Sequence, residues 1–519
     1  MTESHVVIIG GGLAGLAAGC YARANGFRTT IVEHHPALGG VCTAWKRGAY
    51  TIDGCIHWLT GGPFQQIYEE LDIVPRVPLR TIERFLNYRD AHDHFELTIS
   101  RDLEATAQVL RQVAPGDVNE IQRIVQGARL VAKLDPGIDQ PHELATLRGQ
   151  LSRLWHMRGE LQTLAYFRKP FGIWSNEHLK SERLRRILSG LVPNDAPALL
   201  LLMILGYLKQ GYLSRPEGGS SRFRDALIDT YRARGGQTVL QATVDEVLIA
   251  SERACGVRLA DGTILDADLV ISTPSAPETV FRLLGGRYGA PELRERLERW
   301  KLFDPIVLAS YGVAMPLANL PPTSFIDHIE PLSVGGVNNE HLYVRVYNDD
   351  SSFAPPGHAV VQTILTTSYD HWAKAGPRYD DEKAALAART LDLLDVHLPG
   401  VKAAARCSDL ATPLTFWNMA RSWRGAYEGW TPTPEALFSH VDKTLPGLAG
   451  FFMAGQWVEP GGGVPTALMS GRQVVQLICA EDGRPFSADF RAATAAPAKV
   501  AAQGASSTPR FNDSSLRLT

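Results

Sequence analysis

Cysteine is scarce in this chain of 519 residues. The six cysteines, at 20, 42, 55, 255, 407 and 479, form no C-x-x-C pair and no regular framework. That excludes a disulfide scaffold and predicts a reduced interior. Long apolar runs are also missing. No window reaches the roughly 18 uninterrupted apolar residues that a bilayer span needs. The longest, Ala198 to Leu208, fits a buried helix, a helix lining a tunnel, or an interfacial helix docked on lipid. No long basic run occurs and the formal net charge is −3, which excludes a nucleic-acid partner. The apolar start at Val6 has no basic leader and is interrupted by glycines, so it does not read as a signal peptide. His92-Asp93-His94 offers two histidines without a further ligand cluster, and no metal site is predicted. There is no internal repeat.

What is present is concentrated at the two ends. Val6-Val7-Ile8-Ile9 reads as a strand. It opens into Gly10-Gly11-Gly12-Leu13-Ala14-Gly15, a G-x-G-x-x-G turn, followed by a helix from Leu16 to Ala24. A second strand, Thr29 to Val32, ends at Glu33. This is the order of a dinucleotide-binding unit. Gly10 permits the tight turn, Gly12 lets backbone approach a pyrophosphate, and Gly15 lets helix and strand pack closely. The helix start, at Leu13 and Ala14, offers unpaired N–H groups and a partial positive charge to that pyrophosphate. Glu33 lies 18 positions after Gly15, where its carboxylate accepts from ribose hydroxyls and repels a 2′-phosphate. His34-His35 is then expected outside the adenosine ribose.

Glu33 leads to Gly39-Gly40, and Gly48-Ala49-Tyr50-Thr51-Ile52-Asp53 runs on to Gly54-Cys55-Ile56-His57-Trp58. More than 400 residues later, Phe451 to Gly455 reads as a strand ending in Ala-Gly. It is followed by Pro460-Gly461-Gly462-Gly463-Val464-Pro465 and a helix carrying Ser470-Gly471. Both ends resemble the phytoene desaturase, carotenoid isomerase and retinol saturase group of flavoproteins. A middle piece, Pro216 to Gly219 and then Gly235 to Ser272, matches as well. The resemblance implies an α/β fold: a discontinuous, doubly wound Rossmann-type FAD-binding domain with an inserted α+β substrate domain, of amine-oxidase-like architecture. FAD is the implied cofactor. Its contacts would be Gly10, Gly12, Leu13, Ala14, Gly15, Glu33, Gly39, Gly40, Val41, His57, Val244 (pairing its backbone with the adenine), Gly455, Gly462, Gly463, Val464 and Pro465. Val41 stands where many relatives of this fold, amine oxidases especially, carry a basic residue.

The domains follow from these matches. Residues 1–75, 216–290 and 430–485 should make the FAD-binding domain, and 76–215 with 291–429 the substrate domain. The first insert reads as mainly helical, with helices at Leu103 to Val113, Asn119 to Leu134 and Glu182 to Leu191. The second shows strands at Ile306 to Val313, Leu342 to Tyr347 and Ala359 to Leu365, then a helix from Asp381 to Leu394. From Ala492 to Thr519 the Ala-, Ser- and Pro-rich tail reads as disordered.

The implied chemistry is hydride exchange at flavin N5 on a long apolar alkene, a carotenoid, retinoid or other lipid, by desaturation, saturation or isomerisation. Such a substrate needs an apolar slot and few polar groups. The acid–base candidates are His57, Glu459, and Arg424 and Tyr427 of Trp423-Arg424-Gly425-Ala426-Tyr427-Glu428-Gly429-Trp430, a stretch resembling one that borders the family's substrate cavity. Cys42 and Cys55 flank the expected flavin edge, as buried apolar cysteines or as redox groups. Tyr166, Phe167, Phe171 and Trp174 fit either a tunnel or a core. No second dinucleotide fingerprint exists, so electrons should pass to or from a diffusible partner: a quinone, oxygen or a reduced carrier. A cytoplasmic enzyme with peripheral membrane contact suits such a substrate. Two alternatives remain open: an amine- or porphyrinogen-type FAD oxidase, and a non-catalytic prenyl-lipid carrier of the GDP-dissociation-inhibitor type.

Overall fold

The opening strand His5–Ile9 is buried at every position. A strand apolar on both faces must be covered on both faces, which is the signature of a parallel sheet interior. The computed structural model, which describes residues 3–134, 137–146, 148–149 and 159–489, puts it there. The expected tail from Ala492 lies outside the described residues.

His5–Ile9 pairs in parallel with Arg28–Val32 on one side and Leu269–Ser272 on the other. Gln237–Val239 and Leu448–Met453 extend the same sheet outward. An antiparallel group, Val244–Ala250, Arg253–Leu259 and Ile264–Asp266, lies beyond Leu448–Met453, and the short strand Thr444–Leu445, antiparallel to Leu448–Met453, completes its nine strands. Val6 and Ile8 face one core, together with helices Leu13–Ala24, Gly219–Ala233 and Val464–Glu481. Val7 and Ile9 face the other, with the antiparallel group. The sheet thus draws its strands from three separated stretches of chain.

A seven-stranded sheet is assembled from the intervening segments, in the order Ala405–Ala411, Ile306–Val313, Ala359–Thr366, Leu342–Tyr347, Thr323–Asp327, Arg84–Asp90 and Glu96–Ser100. Its side chains alternate between two destinations. Val307, Ala309 and Tyr311 join a core that also holds Leu386 and Leu394 of helix Tyr379–His397. Ile306 and Leu308 point the other way and line a cavity. The first insert is mainly helical, as expected, and adds the hairpin Arg84–Asp90/Glu96–Ser100 to this sheet. Its outer edge strand alternates apolar and polar residues over only five positions, too short a pattern to stand out. The four helices at Leu103–Val113, Val118–Val131, Glu182–Ser189 and Leu199–Gln210 share one core with it. Tyr166, Phe167, Phe171 and Trp174 belong to that core as a cluster of touching rings. Leu199–Gln210 is mostly buried but turns Leu200, Met203, Ile204 and Tyr207 to the cavity. Among the described residues no helix is long and apolar enough to cross a membrane.

Candidate active site

The glycines of the first turn do separate jobs. Gly10 has φ +93°, and a Cβ there would meet Thr273 Oγ1 at 2.5 Å. A Cβ on Gly15 would sit 2.1 Å from the Gly10 carbonyl oxygen, so helix and strand can close only on glycine. Gly12 is different: a Cβ would meet nothing nearer than Gly40 Cα at 4.0 Å. The space above Gly12 is open, and the N-terminus of helix Leu13–Ala24 faces it. That is a cradle for an anion. Glu33 is 4% exposed. Its Oε2 accepts from Gly11 N at 2.7 Å, and its Oε1 accepts from His35 N at 2.8 Å and pairs with His34 Nδ1 at 2.8 Å. Burial opposes its charge, but the bonds from His34, His35 and Gly11 outweigh it and hold the carboxyl below the ordinary range. A carboxylate has about four lone-pair sites, so the ribose would share Glu33 with these three donors. His34 therefore touches the acid itself. The Val244 carbonyl accepts from Arg282 Nη2 at 2.9 Å at the same end of the cavity.

The carboxyl-side turn closes the opposite end. Gly461, Gly462 and Gly463 all have positive φ. Gly463 caps helix Val464–Glu481, with Pro465 in the first turn where no N–H is needed. A Cβ on Gly471, one turn further in, would lie 2.6 Å from Ala14 O and 2.7 Å from Ala18 N. Ser470 Oγ accepts from Gly455 N at 2.7 Å. Gly471 thus seats the last helix on the nucleotide helix, and Ser470 ties it to the turn at Gly455. Asp53, fully buried, accepts from Ser220 N at 2.8 Å, Ser220 Oγ at 2.5 Å and Cys55 N at 3.0 Å. It anchors the start of helix Gly219–Ala233 and is spent on structure.

One cavity of about 990 Å³ runs between these two turns. Gly10, Gly12, Leu13, Ala14, Glu33 and Val244 line it, with Gly39 and Gly40 against Gly12 and Gly455 beside Ala14; Val41, Gly462, Gly463, Val464 and Pro465 line it as well. Gly15 lies outside the lining, as its packing role requires. The cavity continues past Cys55 and His57 into an apolar arm formed by Leu200, Ile204, Leu308, Phe325 and Ile364. The residues present therefore fit an extended dinucleotide whose ring half meets an apolar chamber.

The acid–base candidates separate in this geometry. Arg424 is outside the lining: at φ 51° it swings outward, half exposed, with both carboxylate oxygens of Asp370 at 2.9 Å. Glu459 is also outside, paired with the buried Lys443 Nζ at 2.7 Å. His57 lines the cavity, but burial and the guanidinium groups of Arg345 and Arg215 push it down to about 3. It is neutral at physiological pH and a weak base. Tyr427 lines the cavity and burial drives its pKa far up, so it keeps its proton. The group missed by sequence reasoning is its neighbour, Glu428. Glu428 lines the cavity, and burial pushes its carboxyl up to about 7. Its backbone abuts the glycine turn, since a Cβ on Gly462 would meet Glu428 O at 2.5 Å. Among the described residues its side chain has no hydrogen-bond or ion-pair partner. Only its position between Tyr427 and Gly429 hinted at it, and nothing in that stretch distinguishes a buried carboxylate from a solvated one.

Fold, cradle and cavity together define a flavin-dependent oxidoreductase. The chain belongs to the flavin containing amine oxidoreductase family, whose profile matches residues 13–479. It is 25% identical to a phytoene desaturase (neurosporene-forming) of Rhodobacter capsulatus, over 91% of this chain and 94% of that one. It is 23% identical to the chloroplastic prolycopene isomerase of Arabidopsis thaliana, over 92% of this chain and 83% of that one. Its fold is similar to that of cyclohexylamine oxidase from Brevibacterium oxydans IH-35A, with TM-score 0.56, 17% identity and coverage of 93% and 100%. The chain is an FAD enzyme of this family, and the lipid-carrier alternative gives way to it.

Proposed function

We propose that this enzyme moves hydrogen at the polyene of a long apolar alkene of the carotenoid kind. The observation that carries the reading is the continuity of the dinucleotide cradle with an apolar arm that contains one ionisable acid near neutrality. The names of the relatives, phytoene desaturase and prolycopene isomerase, support the substrate class. Bound flavin supplies the hydride exchange. The arm holds the alkene by shape, because a polyene offers no hydrogen-bonding group, and orientation contributes several kcal/mol. Glu428 gives or takes the proton at the carbon beside the reacting bond, and its pKa near 7 leaves both forms populated. Tyr427, protonated, and His57, neutral, complete a wall that adds no charge.

The cradle for FAD is the one dinucleotide site among the described residues, so the proposal assigns electron exchange to a diffusible quinone, oxygen or reduced carrier. A cytoplasmic enzyme in peripheral contact with the membrane that dissolves its substrate is consistent with this. The test is anaerobic incubation of oxidised and photoreduced holoenzyme with a panel of carotenoid and retinoid alkenes. A mass change of two hydrogens, or unchanged mass with shifted retention, is expected. Turnover of amines with release of peroxide, and none of alkenes, would overturn the reading.

A further inference from the structure

The active-site account leaves two cavity-lining thiols unused. Strands Ala44–Arg47 and Tyr50–Asp53 form a hairpin in which Ala44 faces Asp53. The ladder continues one step further, with Gly54 N donating to Thr43 O at 3.0 Å. Cys42 and Cys55 are the next residues on the two segments just beyond this bond. The Cys55 thiol lies beside the Cys42 thiol, and the Cys42 thiol donates to Ser220 O at 3.7 Å. Both residues line the redox cavity. No other cysteine among the described residues has this placement. Cys20 and Cys479 are buried in the core, where burial pushes their thiols up to about 12 and about 11. Cys255 and Cys407 lie on strands outside the cavity.

We propose that Cys42 and Cys55 are a redox-active dithiol that exchanges two electrons with the flavin bound in the same cavity. The inference rests on the FAD reading. In the forward step both S–H bonds break and one S–S bond forms. Two electrons and two protons leave the sulfurs, and oxidised flavin accepts them. In the reverse step the disulfide takes up two electrons and two protons from reduced flavin and the S–S bond opens. The pair is then a two-electron store between the buried reaction and an external carrier. It drains the cofactor after a desaturation and recharges it for a saturation or isomerisation. Contact with Cys42 and burial hold the Cys55 thiol well above the ordinary range, so it keeps its proton until the electrons leave.

Anaerobic dithionite titration of disulfide-form holoenzyme tests the exchange. Wild type should consume four electrons per flavin, and Cys42→Ser and Cys55→Ser two. Independently, holoenzyme oxidised with diamide, then denatured and alkylated, should label four of its six cysteines. Peptide mass mapping should show the Cys42–Cys55 link. Six labelled cysteines would overturn the proposal, and so would a linked pair in an enzyme that still takes up only two electrons. A protein without flavin would fail the titration alone, while the labelling count would still report the pair.

Discussion

Glu428 is the residue to which we assign the proton transfer, and its burial has a measurable signature in stability. Its folded pKa, about 7, lies above the ordinary carboxyl value of 4.5. The folded protein therefore binds more protons than the unfolded chain between those values, and stability falls as pH rises through that window. Glu428→Gln should remove this loss. Chemical denaturation at pH 8 should find the variant more stable by roughly 1–3 kcal/mol. Turnover should drop by about 10²–10⁴, and the limb near pH 7 should vanish from the pH profile of kcat/KM. A variant with unchanged turnover would remove Glu428 from the chemistry. His57 works in the opposite direction. Its folded pKa, about 3, lies below the ordinary 6.5, so its contribution is complete above pH 6.5 and is lost as pH falls toward 3. His57→Gln should flatten the acid side of the stability curve, read by urea denaturation at pH 5 against pH 7. Glu33→Arg should abolish flavin retention, read as visible absorbance per protein after gel filtration, because it discards three hydrogen bonds to the carboxylate and places a cation at the cradle. These residues were not equally legible. Glu33 sits at a fixed distance along one strand–helix–strand unit, so local chain geometry fixes its role. Glu428 owes its pKa to walls contributed by distant segments, and Arg424 is turned outward by a left-handed backbone that its neighbours do not announce.

Among the elements, the helix pair Leu13–Ala24 and Val464–Glu481 positions the cofactor. Gly471 lets the two approach until backbone atoms are all that separates them. Gly471→Val must push them apart, at a cost of about 1–3 kcal/mol or more for overpacking. Because the same helix presents its N-terminus to the cavity through Val464 and Pro465, flavin affinity should weaken along with stability. Fluorescence titration of the apoprotein would measure this, and affinity equal to wild type would show that the contact is purely structural. Strongly marked elements were legible from the sequence: strand Ile306–Val313 falls on a short apolar run and helix Leu103–Val113 where helical spacing puts it. The hairpin at Arg84–Ser100 was not, because its strands are short and the strand that joins it to the sheet, Thr323–Asp327, lies more than 200 residues away.

At the scale of the molecule, the cavity joins segments that share no local sequence. Flavin binding should therefore report on the whole fold. At about 100 times its Kd, FAD should add roughly 2.7 kcal/mol to stability, and calorimetry should show one shifted transition covering both sheets. Two separate transitions, only one of them shifted, would mean that the apolar chamber folds without reference to the cofactor. The crossing at Gly471 also has a bearing on biosynthesis. The nucleotide turn emerges first from the ribosome, yet the helix that completes its grip lies 450 residues downstream. At about 5–20 residues per second, the nascent amino end waits on the order of half a minute or longer. During that time it is exposed to chaperones and proteases and cannot retain its vitamin-derived ligand.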